Sequence, residues 1–198
     1  MRKWTKRAVI LVIVAGFLTG VGFAYRQYRY PYGWSHCCDT GMGNVLRQYA
    51  DSHGGWFPRG ESTPEASLSL LYREDPNLWY WLRGKTIPES VVKERLESGK
   101  LLSAETCGWH YVVGLRNDDN PRLALLWDKA GLGHNGERCD DGGYTVVFVS
   151  GDRERISGKE WDNFSAEQVQ LRANVKRKAE LKQDKPTSAV NVKSNREE

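Results

Sequence analysis

The chain lacks the short signatures that announce chemistry most directly. It has no CxxCH for covalent haem attachment, no glycine-rich phosphate loop and no GxSxG nucleophile turn. Basic charge is scarce where a nucleic-acid binder needs it. The formal net charge of the 198 residues is +4, but residues 1–7 hold four cations and no acid, and residues 172–198 hold eight basic against four acidic groups. Between residues 8 and 171 there remain 17 basic and 21 acidic groups. A phosphate-binding surface needs cations concentrated on the folded body, so nucleic acid is set aside as a partner. What is present is enough for one ordinary domain with extensions. At 39% hydrophobic and 11% aromatic residues the chain can build a core and is not of disordered composition.

Charge is missing altogether from residues 8–24, AVILVIVAGFLTGVGFA, which follow the basic start MRKWTKR. As a helix this run spans roughly 26 Å, against a hydrocarbon core of about 30 Å. Trp4 and Tyr25 supply interfacial rings at its two ends. The expectation is a membrane helix over residues 8–25, in contact with the lipid bilayer, preceded by a basic cytoplasmic tail over residues 1–7. Arg2, Lys3, Lys6 and Arg7 outnumber Arg26 and Arg29, which keeps the N-terminus cytoplasmic and exports the rest. Gly22 and Ala24 would also suit a signal-peptidase site, but the apolar run is longer than an ordinary signal core.

All four cysteines, Cys37, Cys38, Cys107 and Cys139, lie beyond the apolar run, and an even count in an exported chain predicts disulfides. A bond between Cys37 and Cys38 would close a strained small ring. Each would then reach one of the distant pair, in either of two connectivities. Such bridges close long loops, worth roughly 3–5 kcal/mol each in the entropy model. A zinc site or a Cys–His enzyme built from His36, Cys37, Cys38, Cys107, His110, His134 and Cys139 is the rival reading. Only Cys107-x-x-His110 has a helpful spacing, and no second pair completes it. No catalytic residue, metal or cofactor is therefore assigned.

Along the body, Asp39 or Thr40 caps a helix over about 40–53 that ends at Gly54-Gly55, and Pro64 opens a second. Pro88 opens a third, stopped by Gly99. The pattern then turns to strands at 109–115, 122–127, 144–149 and 153–156, the last two joined by a Ser150-Gly151-Asp152 turn. The Asp118-Asp119-Asn120 run is an acidic turn and does not have the spacing of a calcium loop. Trp79, Trp81, Trp109 and Trp127 read as core, with a glycan-stacking platform as the alternative. A charged helix starting at Ser165 and a polar tail complete the chain over residues 165–198. Helices followed by hairpin-linked strands make an α+β domain, with helices packed on an antiparallel sheet, over residues 26–164.

Several segments resemble those of bacterial pseudopilin-like proteins, relatives of type II secretion and type IV pilin subunits. They are Val45-Leu-Arg-Gln-Tyr-Ala-Asp-Ser-His-Gly-Gly-Trp-Phe-Pro58, Leu126-Trp-Asp-Lys129, Gly133-His134 and Gly143-Tyr-Thr-Val-Val-Phe-Val-Ser-Gly151. The resemblance implies a single-pass protein of the bacterial inner membrane with a periplasmic, pilin-like head. It implies an interaction or scaffold role in a secretion or envelope assembly, and no catalytic residues. The prepilin Phe-Thr-Leu-Ile-Glu run is absent, and Ser150-Gly151 stands where the family has Asp-Gly. Those departures suggest a static tether in place of a filament subunit.

Overall fold

The structure, a computed structural model, describes residues 3–35 and 39–183. Its first element is a single helix, α1 (Lys3–Arg29), which extends the expected span by about a turn at either end. Trp4–Arg29 is long and apolar enough to cross a membrane, and none of its most apolar stretch is buried. Leu11 and Phe17 are each 69% exposed, so among the described residues α1 has no tertiary partner along its apolar length. Pro31 lies just beyond it in a turn, where proline blocks helix continuation.

The head opens with helices α2 (Asp39–Ser52), α3 (Pro64–Glu74), α4 (Trp79–Leu82) and α5 (Glu89–Glu97). A short 3-10 turn at Pro76–Leu78 leads into α4. Start signals explain most of these. Thr63 Oγ1 accepts from the Ala66 amide at 3.1 Å, with Pro64 at the first helical position. Sequence periodicity misses α4, because four residues of Trp-Tyr-Trp-Leu carry no readable period.

Four strands follow, β1 (Trp109–Tyr111), β2 (Ala124–Asp128), β3 (Tyr144–Phe148) and β4 (Arg153–Ile156). They pair antiparallel in the order β1-β2-β3-β4, an up-and-down meander. The fold class is therefore α+β, with helices against an antiparallel sheet as expected. A register shift between Ala124 and Leu126 puts an extra residue in β2. Leu125 and Leu126 consequently both join the inner core while Ala124 faces outward.

The inner face packs on α2 and α3 through Met42, Leu46, Leu68, Leu71, Trp109 and Val147. Gly43 permits this closeness, since a Cβ there would stand 3.0 Å from Val147 Cγ1. The outer face is covered by the last helix, α6 (Trp161–Gln183), whose Trp161 and Phe164 pack on Ala124, Val146, Phe148 and Ile156. This helix starts one turn before the expected Ser165. Gln168 ties it to the sheet, accepting from the Ala124 amide at 2.8 Å and donating to the Arg122 carbonyl at 3.0 Å. The first half of α6 thus belongs to the folded body, and the expected polar tail beyond residue 183 lies outside the described residues.

Candidate functional site

The head carries a buried charge cluster where three separated segments meet. Asp39 is the first residue of α2, where the helix dipole favours a carboxylate. Asp128 ends β2, on the same inward side as Leu126. Lys85 follows a tight turn at Gly84, whose φ of +60° suits glycine. That turn crosses Gly108 backbone to backbone: a Cβ at Gly108 would sit 2.0 Å from the Arg83 carbonyl oxygen. The two glycines let the turn descend far enough for Lys85 to reach inside.

Lys85 Nζ donates to Asp39 Oδ1 at 2.7 Å and is in direct contact with Asp128 Oδ2. The Lys85 backbone N–H also donates to Asp128 Oδ1 at 3.2 Å. Side-chain exposure is 0% for Lys85, 3% for Asp39 and 2% for Asp128. The Trp109 ring closes the cluster, its centroid 5.9 Å from Nζ. Burial pulls the lysine toward neutrality, but the Asp128 and Asp39 charges outweigh it and its pKa lies above the usual value. Burial pushes the Asp128 carboxyl up to about 7 against the pull of Lys85. One ammonium cannot neutralise two desolvated carboxylates, and this imbalance together with burial is what raises the Asp128 carboxyl.

A second feature is the collar at the base of α1. The Arg29 carbonyl accepts from the Arg138 amide at 2.7 Å, and the Arg29 guanidinium donates to the Arg138 carbonyl at 3.1 Å. Arg138 lies 5.0 Å over the Tyr28 ring, and the Ser35 amide donates to the Asn135 carbonyl at 3.0 Å. The loop that contains His134 and Cys139 therefore grips the foot of the apolar helix.

The residues singled out from sequence are dispersed. His36, Cys37 and Cys38 lie outside the described residues. Cys107 is a fully buried free thiol of the inner core, and burial pushes it up to about 12. A thiol in that state is no nucleophile. Cys139 is a half-buried free thiol whose sulfur accepts from Arg155 Nη1 at 2.7 Å. His110, three residues after Cys107, is exposed and stacks on Trp127, a ring of the outer cluster. Cys107-x-x-His110 is thus split between core and outer surface, and its spacing does not converge on an ion. Among the described residues no three His, Cys, Asp or Glu side chains gather into a metal-binding group. His134 lines a different depression, of about 310 Å³, with Asp39, Thr145 and Arg155.

Trp109 is the largest fully buried side chain, and Trp79 and Trp81 pack partly buried against the same core. Trp127 belongs instead to the outer cluster, where Trp161 meets it at 66° and Tyr144 meets Trp161 at 39°. Rings tilted in this way interlock as packing and do not form one flat platform for a sugar. Local sequence gives Lys85 and Asp128 no site role and gives Asp39 only that of a helix cap. The one available signal is Asp128 falling on the inward phase of Leu126-Trp-Asp, a polar residue at a core position.

Comparison with protein-family models, with curated proteins and with solved structures returns no match.

Proposed function

We propose that this protein is a single-pass membrane tether that displays a non-catalytic, pseudopilin-like interaction domain outside the cytoplasm. The observation that carries the reading is α1, a helix whose apolar surface is wholly exposed while the head has a core of its own. A surface of that kind requires lipid or an equivalent apolar partner. The charge bias around it favours a cytoplasmic N-terminus, with the head in the periplasm of a bacterial cell.

The segments that resemble pseudopilins have structural roles consistent with a scaffold. Tyr49 and His53 stack at 3.8 Å at the end of α2, Phe57 is fully buried, and Tyr111 donates its hydroxyl to the Pro58 carbonyl at 2.8 Å. The collar at Arg29 and Arg138 gives the head a defined seat on its stem, which suits a static member of an envelope or secretion assembly. The disulfides expected from Cys37 and Cys38 to Cys107 and Cys139 rest on the exported location alone, since Cys107 and Cys139 are free thiols in the structure.

Topology reporters test it. Alkaline phosphatase fused after the last residue is expected to be active, and a cytoplasm-only reporter silent. Activity of the cytoplasmic reporter alone would sink the exported topology. Non-reduced intact mass, with and without residues 1–24, then decides disulfides and cleavage: two bridges make the chain four hydrogens lighter.

A further inference from the structure

We propose that Lys85 and Asp128 join in an intramolecular isopeptide bond, with Asp39 as the proton relay that allows it to form. Three features of the cluster support this. A primary amine is held against a carboxyl group, a second carboxylate touches the same nitrogen at 2.7 Å, and all three side chains are shut off from water. This resembles the arrangement a condensation needs more than that of a stabilising ion pair. Desolvation makes a buried lysine with two carboxylates a poor source of stability as an ion cluster, and it raises the Asp128 carboxyl toward its neutral acid form even though the two carboxylates hold Lys85 as an ammonium.

The chemistry balances without a cofactor, oxidant or reductant. A proton passes from the Lys85 ammonium to Asp128, leaving an amine and a carboxylic acid. Burial raises Asp128 and so narrows the gap to that tautomer, which is a minor form because the two carboxylates raise Lys85 as well. Nζ attacks Asp128 Cγ, forming the C–N bond and placing negative charge on the former carbonyl oxygen. The Lys85 backbone N–H, 3.2 Å from Asp128 Oδ1, is placed to stabilise that oxygen. Asp39 accepts a proton from the nitrogen and returns it to the departing hydroxyl, so its carboxylate is regenerated. The C–O bond breaks and one water leaves. Fixed neighbours of this kind have effective molarities of order 10⁵–10⁸ M, and excluding water disfavours hydrolysis back to the acid. The reaction is a single turnover on the protein itself, so a minor population of the neutral amine and acid suffices, and the ammonium predominates only until the bond forms. Its product ties the turn after α4 to the end of β2 across 43 residues of sequence, and reducing agents do not open it.

The full-length chain, extracted from membranes, reduced and alkylated, is weighed intact under denaturing conditions. The expected mass is one water below that of the fully alkylated sequence, and digestion is expected to yield a branched peptide joining Lys85 to Asp128. Asp128→Asn is expected to condense with loss of ammonia and arrive at the same final mass as the linked wild type. Asp39→Asn is expected to keep the native circular dichroism and the full mass of its own sequence. A wild-type chain at full mass after prolonged incubation at neutral pH would overturn the proposal. So would a water lost within one unbranched peptide, or a branch at Asp39.

Discussion

The stem and the head of this molecule place apolar residues in opposite ways. Leu11, Ile13 and Phe17 of α1 are 64–69% exposed, whereas Met42, Leu46 and Leu68 of the head are fully buried. The head satisfies its apolar surface with its own chain, by setting α2 and α3 on the inner face of the sheet. The stem leaves that task to its surroundings. A change that alters one region therefore need not disturb the other, and the collar around Arg29 is where they touch.

The largest expected effect falls on the stem. Ile13→Arg with Phe17→Arg should cost about 6 kcal/mol in apparent membrane insertion, from about 3 kcal/mol per central charge. The double variant should shift from the membrane pellet after carbonate extraction, with the head retaining its tryptophan emission. Retention in the pellet would mean that α1 is not what holds the protein to lipid.

Next in size, Lys85→Ala strands two buried carboxylates and should destabilise the head by about 3–5 kcal/mol. Urea unfolding of the full chain in detergent measures this, and insertion should not change. Leu68→Ala removes a fully buried side chain and should cost about 3 kcal/mol by the same measurement. Phe164→Ala, on the half-buried outer cluster, should cost about 1 kcal/mol. Equal losses at the two positions would contradict the division into a main inner core and a thinner outer one.

Two smaller effects concern titration. In the reduced protein a maleimide should label Cys139 well before Cys107, because burial suppresses the Cys107 thiolate. Partial desolvation of the exposed His110 against its neighbours, together with the Lys129 charge, lowers its pKa. The unfolded chain therefore binds a proton there before the folded one does. Stability from this residue is full above the ordinary histidine pKa of 6.5 and declines as the pH falls below it. His110→Gln should flatten that small acid limb of the urea midpoint.

Much of this arrangement is written locally. The apolar run, the Thr63-Pro64 start, Pro88, and the Gly151 turn between β3 and β4 act through neighbouring residues, and each can be read in order along the chain. The readable elements lose accuracy where long-range contacts set their limits. The strand expected at 109–115 is paired only over Trp109–Tyr111, and α6 begins at Trp161 because that ring and Phe164 cover the sheet. The four-residue α4 has too few residues to show a period, and its neighbours hold it in place.

Composition and local pattern alone determined the apolar stem, the charge bias at its ends and the α+β class, because hydrophobic length and backbone capping depend on residues close in sequence. Only the tertiary structure decided the partners of Lys85. Nothing local distinguishes that lysine from a solvated one. Burying it required Gly84 to cross Gly108 and brought Asp39 and Asp128, 46 and 43 residues away, to the same nitrogen. Tertiary packing likewise separated Cys107 from His110: Cys107 enters the inner core just ahead of β1, whereas His110, on the face of β1 opposite Trp109, stacks on Trp127 of the outer cluster.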